Sequence, residues 1–66
     1  MIKKRQQLRR RILSKYDTLG MFAEDLGISR QSVSNIVSGH TYPRAKTMAK
    51  MREKLDIRDD EVGTLF

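Results

Sequence analysis

The stretch from Phe22 to Gly39, FAEDLGISRQSVSNIVSG, decides how this chain folds. Phe22 and Leu26 fall on one face of a helix, and Gly27 follows, a residue type that adopts positive φ without steric cost. Two residues later Ser29 offers a hydroxyl to the free amides of a new helix. In that second helix Val33, Ile36 and Val37 share a face, while Arg30, Gln31, Ser34 and Asn35 fall opposite, and Gly39 ends it. The pattern reads as two short helices with a very tight turn.

Working outward, Leu19 begins the first of these helices, with Asp17 or Thr18 as its cap. Upstream, Ile2 to Lys15 contains neither Gly nor Pro, and Leu8, Ile12 and Tyr16 recur at helical spacing with Leu13 beside them. Downstream, the segment His40 to Pro43 reads as a loop, with Pro43 suited to the first turn of a fourth helix. There Ala45, Met48, Met51, Arg52 and Leu55 occupy one flank. Ile57, Val62, Leu65 and Phe66 suggest a last helix or docked tail. No strand pattern or repeat is visible, so the expected fold class is all-α: a compact five-helix domain over residues 1–66 built around a helix-turn-helix.

With 66 residues and no Cys, neither disulfides nor thiolate metal sites can brace the fold. A lone His40 makes no ligand set, so no metal and no cofactor are expected, and His40 is read as a loop residue. A core this small supplies only about 3–5 kcal/mol, and a second subunit or a bound ligand is expected to add to it. The chain has no apolar run long enough to span a bilayer and no signal peptide, which suggests a cytoplasmic protein. No nucleophile-base pair, carboxylate dyad or phosphate loop points to an enzyme.

Charge points to the partner. Lys and Arg number 14 against 8 Asp and Glu, a net +6, which favours anionic partners. Lys3, Lys4, Arg5, Arg9, Arg10, Arg11 and Lys15 carry the first helix without one acid, whereas Asp56, Asp59, Asp60 and Glu61 cluster near the other end. The cationic run is expected to meet either a phosphate backbone or those acids. Arg11 and Lys15, nearest the motif in sequence, are the favoured phosphate contacts.

Two helices joined by a short Gly-containing turn form the DNA-binding helix-turn-helix, whose second helix enters the major groove. Base edges there are read by paired donors and acceptors: Arg on guanine, Gln or Asn on adenine. Arg30, Gln31 and Asn35 are those types and stand in the leading part of that helix. Ser34 is read as a packing residue and is not counted among the readers.

The quoted stretch, with Pro43 and the later MAKMREKLDI, resembles the XRE family, which includes the lambdoid phage repressors and Cro proteins. The resemblance runs over about residues 8–62 and rests on Phe22-Ala23, Gly27, Ser29, Val33, Ser34, Ile36, Gly39, Pro43, Met48 and Leu55 at compatible spacings. It implies a lambda repressor-like domain, commonly dimeric on a near-palindromic operator, with base contacts from Arg30, Gln31 and Asn35 and support from Ser29 and Ser32. It also implies phosphate contacts from Thr18, His40, Thr41 and Arg44.

Two departures stand out. Leu19 holds a position where relatives carry a phosphate-binding Gln. Ile12 and Val37 match positions where many relatives have an Arg–Glu pair, and packed apolar residues can replace a buried ion pair without loss. Ile12 is therefore expected to touch Val37.

These features suggest a Cro-type repressor that binds double-stranded DNA as a homodimer. Leu65 and Phe66 are expected either to dock on their own core or to be buried across that dimer. An antitoxin of the same fold is the alternative, with no toxin-wrapping segment in sight. A membrane-surface role for the basic first helix has too thin an apolar face behind it.

Overall fold

A computed structural model describes residues 4–66; Met1, Ile2 and Lys3 lie outside the described residues. Five helices follow one another: α1 (Gln6–Lys15), α2 (Leu19–Leu26), α3 (Arg30–Ser38), α4 (Ala45–Leu55) and α5 (Asp59–Leu65). No strand occurs among the described residues, and the fold is all-α and lambda repressor-like. The whole measures 26 × 25 × 22 Å.

Local chemistry sets the boundaries of α2 and α3. The Thr18 hydroxyl accepts from the Met21 N–H at 3.1 Å, and that of Ser29 accepts from the Ser32 N–H at 3.1 Å. Each bond satisfies an amide that the first helical turn leaves free and is worth about 1 kcal/mol. Gly27 adopts φ 78° and Gly39 φ 87°, the left-handed conformation that closes a helix. After Gly27, the Ile28 N–H returns to the Ala23 carbonyl at 3.1 Å, which reverses the chain and lays Ile28 on the core. Only Gly27, Ile28 and Ser29 separate the two helices.

Two boundaries differ from expectation. α1 begins at Gln6, with Lys4 and Arg5 outside the helix. Arg5 is drawn away by hydrogen bonds to α3, which the absence of Gly and Pro could not reveal. Pro43 stands before the fourth helix and not in its first turn, because Arg44 keeps an extended backbone (φ −67°, ψ 160°) and α4 starts at Ala45. At the far end of α4, Asp56 takes a left-handed φ of 53°, copying the role of Gly27.

The core joins all five helices: Leu8 and Ile12 from α1, Phe22, Ala23 and Leu26 from α2, Val33, Ile36 and Val37 from α3, Met51 and Leu55 from α4, and Leu65 from α5, with Ile57 between the last two. Burying each large side chain contributes about 1.5–3 kcal/mol. Of the flank expected on α4, Met51 and Leu55 are buried, Met48 is half-buried and Ala45 is exposed. Ile12 and Val37 lie in the same buried cluster. No helix among the described residues is long and apolar enough to cross a membrane.

Candidate nucleic-acid interface

Burial of Val33, Ile36 and Val37 turns the opposite face of α3 outward. Arg30, Gln31 and Ser34 are exposed on it and Asn35 is half-exposed. Gln31 Nε2 donates to Asn35 Oδ1 at 3.0 Å, linking two of the expected base readers one turn apart. Ser34 was expected to pack between helices; it is exposed instead, since the core takes its three α3 residues from the other side.

The expected supporting residues fall around this face. A Cβ built on Gly20 would lie 3.6 Å from Arg30 Cδ and 3.7 Å from Thr18 Oγ1, ordinary contact distances that put the Arg30 stem beside the start of α2. Thr18 and Arg30 thus share one surface. Thr18 Oγ1 and Ser29 Oγ accept cap bonds, and the Ser29 and Ser32 hydroxyls lie 2.9 Å apart. On one flank of α3 a groove brings Ser32 and Asn35 together with Thr41, Tyr42 and Arg44. His40 stands at the end of α3, where its N–H and that of Thr41 both reach the Asn35 carbonyl, at 2.9 and 3.3 Å. The His40 Nδ1 lies 2.7 Å from the Ser38 hydroxyl.

The opposite flank holds two cations of the N-terminal run whose neighbours the sequence left open. Lys4 and Arg9 line a groove with Ser34 and Ser38 of α3, and Leu19 forms part of its wall. Leu19, partly buried, packs on the core, as its apolar character allows. A further signal lies in the sequence itself: between Asp25 and Glu53 there is no acidic residue, while Arg30, Arg44, Lys46, Lys50 and Arg52 stand in that span.

Arg11 requires a correction. Expected on a phosphate, its guanidinium instead donates to the Leu55 carbonyl at 3.1 Å and pairs with Glu61. Arg10 lines the same α1–α5 groove with Asp60 and Glu61. Glu61 thus takes the side of α1 that faces α5, while Asp59 pairs with Arg52 and Asp60 with Arg58, and Lys15 remains exposed at the end of the helix. The Glu61 carboxyl is held below its ordinary value, first by the Arg58 backbone N–H it accepts at 3.1 Å and then by Arg11. Asp25 is likewise lowered by the Tyr16 hydroxyl, which donates to it at 2.5 Å, and by Lys54.

Leu65 takes the first of its two expected placements and not the second: only 6% exposed, it is buried in its own core and not offered to a partner. Phe66 packs partly on that core and edge-on against Tyr42, with ring centroids 6.3 Å apart.

The tight turn, the outward polar face of α3 and the caps that fix both helices are the geometry of a DNA-reading helix-turn-helix. The Helix-turn-helix family model matches residues 5–62, nearly the whole chain and all five helices in part or whole. The chain belongs to the XRE-type helix-turn-helix family. It is therefore a DNA-binding transcriptional regulator of that kind. No curated protein and no solved structure matches this XRE-type protein. Among its described residues no group of His, Cys, Asp and Glu could hold a metal.

Proposed function

We propose that this XRE-type protein is a repressor of the Cro type, working in the cytoplasm as a homodimer on a near-palindromic operator. Arg30, Gln31 and Asn35 read base edges, and Ser29 and Ser32 support them. Thr18, His40, Thr41 and Arg44 hold phosphates, Thr41 and Arg44 on one flank of α3, with Lys4 and Arg9 on the other flank and Lys15 as a further contact.

The observation that carries this reading is the outward face of α3, where the three proposed readers stand between two flanks that both bear cations. A helix presenting such a face fits a major groove about 12 Å wide, with phosphates on either rim. Two such helices related by a two-fold axis would sit about 34 Å apart, in successive major grooves. The surface on offer to a second copy is the exposed Tyr42, with the half-buried Phe66 beside it.

Selection of bound sequences from random duplexes tests the reading, followed by binding of Arg30→Ala and Arg44→Ala to the selected site and to random DNA. Arg30→Ala should cost about 1–3 kcal/mol on the selected site and relax sequence preference, while Arg44→Ala should weaken both DNAs alike. Equal loss on both DNAs for Arg30→Ala removes it from the readers. A selected site without two-fold symmetry removes the homodimer.

A further inference from the structure

The last turn of α3 carries no basic side chain, although the final carbonyls of a helix lack partners within it and form its negative end. Arg5 supplies what is missing. Its N–H donates to the Val37 carbonyl at 2.8 Å, and its Nη1 donates to the carbonyls of Ile36 and, at 2.8 Å, Thr41. The guanidinium carbon also lies 5.4 Å from the centroid of the Tyr42 ring, within cation–π range. One residue ahead of α1 therefore ties together the end of α3, the segment after it and an aromatic ring in the α3–α4 loop. A cation serving only to attract phosphate would extend into solvent, whereas this one is turned onto carbonyls.

We infer that Arg5 is a positioning residue for DNA recognition. It fixes the end of α3 and the His40–Thr41 segment relative to one another, so that the reading face and the phosphate-holding loop meet one duplex together, and it does so without touching DNA. This rests on the reading of α3 as the recognition helix.

The test uses the full chain, a selected operator and a random duplex of equal length, with Arg5→Ala and Arg5→Lys, at a temperature where circular dichroism shows each variant folded. Arg5→Ala should lower the operator-to-random affinity ratio at least about tenfold, the order of one charge-assisted hydrogen bond. The slope of log K against log salt should stay unchanged, and the His40 and Thr41 amides of the free protein should exchange faster with deuterium. Arg5→Lys, which keeps a donor cation, should recover part of both effects. General destabilisation would weaken both DNAs alike and leave the ratio intact, which overturns the inference. A slope shallower by about 0.9 at an unchanged ratio would make Arg5 a phosphate contact instead. Unchanged exchange at His40 and Thr41 also overturns it. Failure of the recognition-helix reading would show separately, as a parent protein without sequence preference.

Discussion

Gln31 and Asn35 share a hydrogen bond across one turn of the exposed face of α3. Each amide orients the other before any ligand arrives, so their effects on binding should not be independent. Alanine at either position is expected to cost about 1–3 kcal/mol on the preferred site, and the double variant less than the sum. A double-mutant cycle of binding free energies checks this, and strict additivity would show that the bond has no part in recognition.

The Arg11 tie to the Leu55 carbonyl and Glu61 makes a different prediction for a residue of the same charge. Arg11→Ala should lower folding stability by about 1–2 kcal/mol through lost hydrogen bonds, seen as a lower Tm. The salt dependence of DNA binding should not change. A shallower slope would place Arg11 on phosphate after all.

Acid should weaken the fold through Asp25 and Glu61. Both carboxyls are held below their ordinary values, so on acidification the unfolded chain takes up protons before the folded one. Their stabilisation is complete above about pH 5 and is lost as pH falls through the lowered folded values. Thermal unfolding followed across pH should show a flat Tm from that range up to neutral pH and a decline below it. Glu61→Gln should make that decline shallower, and an unchanged profile would contradict the assignment.

Two backbone positions leave room for improvement. Asp56 holds a left-handed φ of 53° at the negative end of α4, where glycine removes both the strain and an ill-placed charge. Gly63 lies within α5, and a Cβ there would meet nothing within 4 Å. Asp56→Gly and Gly63→Ala are each expected to stabilise by about 0.5–1 kcal/mol in denaturant unfolding. A loss in either case would mean that the replaced residue makes a contact these geometries do not reveal.

The helix-turn-helix was legible because its boundaries are local chemistry: Thr18, Gly27, Ser29 and Gly39 each act on amides or carbonyls a few residues away. The outward placement of Arg30 and Gln31 followed from the spacing of three apolar residues. The fate of the α1 cations was not legible, because it depends on which neighbouring helix each side of α1 meets. Arg11 turns to α5 and Arg9 to α3, though only Arg10 separates them in sequence. Leu65 posed the same difficulty, since nothing local distinguishes a side chain that docks inward from one that awaits a partner. Arg5 was hidden most completely, its acceptors lying 31 and 36 residues along the chain.

The division of charge across α1 also bears on events that precede binding. Where Arg11 meets Glu61 the opposite charges cancel over a short distance, as they do where Arg52 meets Asp59, whereas Arg30, Arg44, Lys46 and Lys50 stand in a span between Asp25 and Glu53 that holds no acid of its own. The molecule is thus electrically lopsided, and the torque that DNA exerts on it at a Debye length of about 10 Å acts during the diffusive encounter. Productive collisions are enriched by orientation in flight, which ties the association rate, and not only the affinity, to ionic strength.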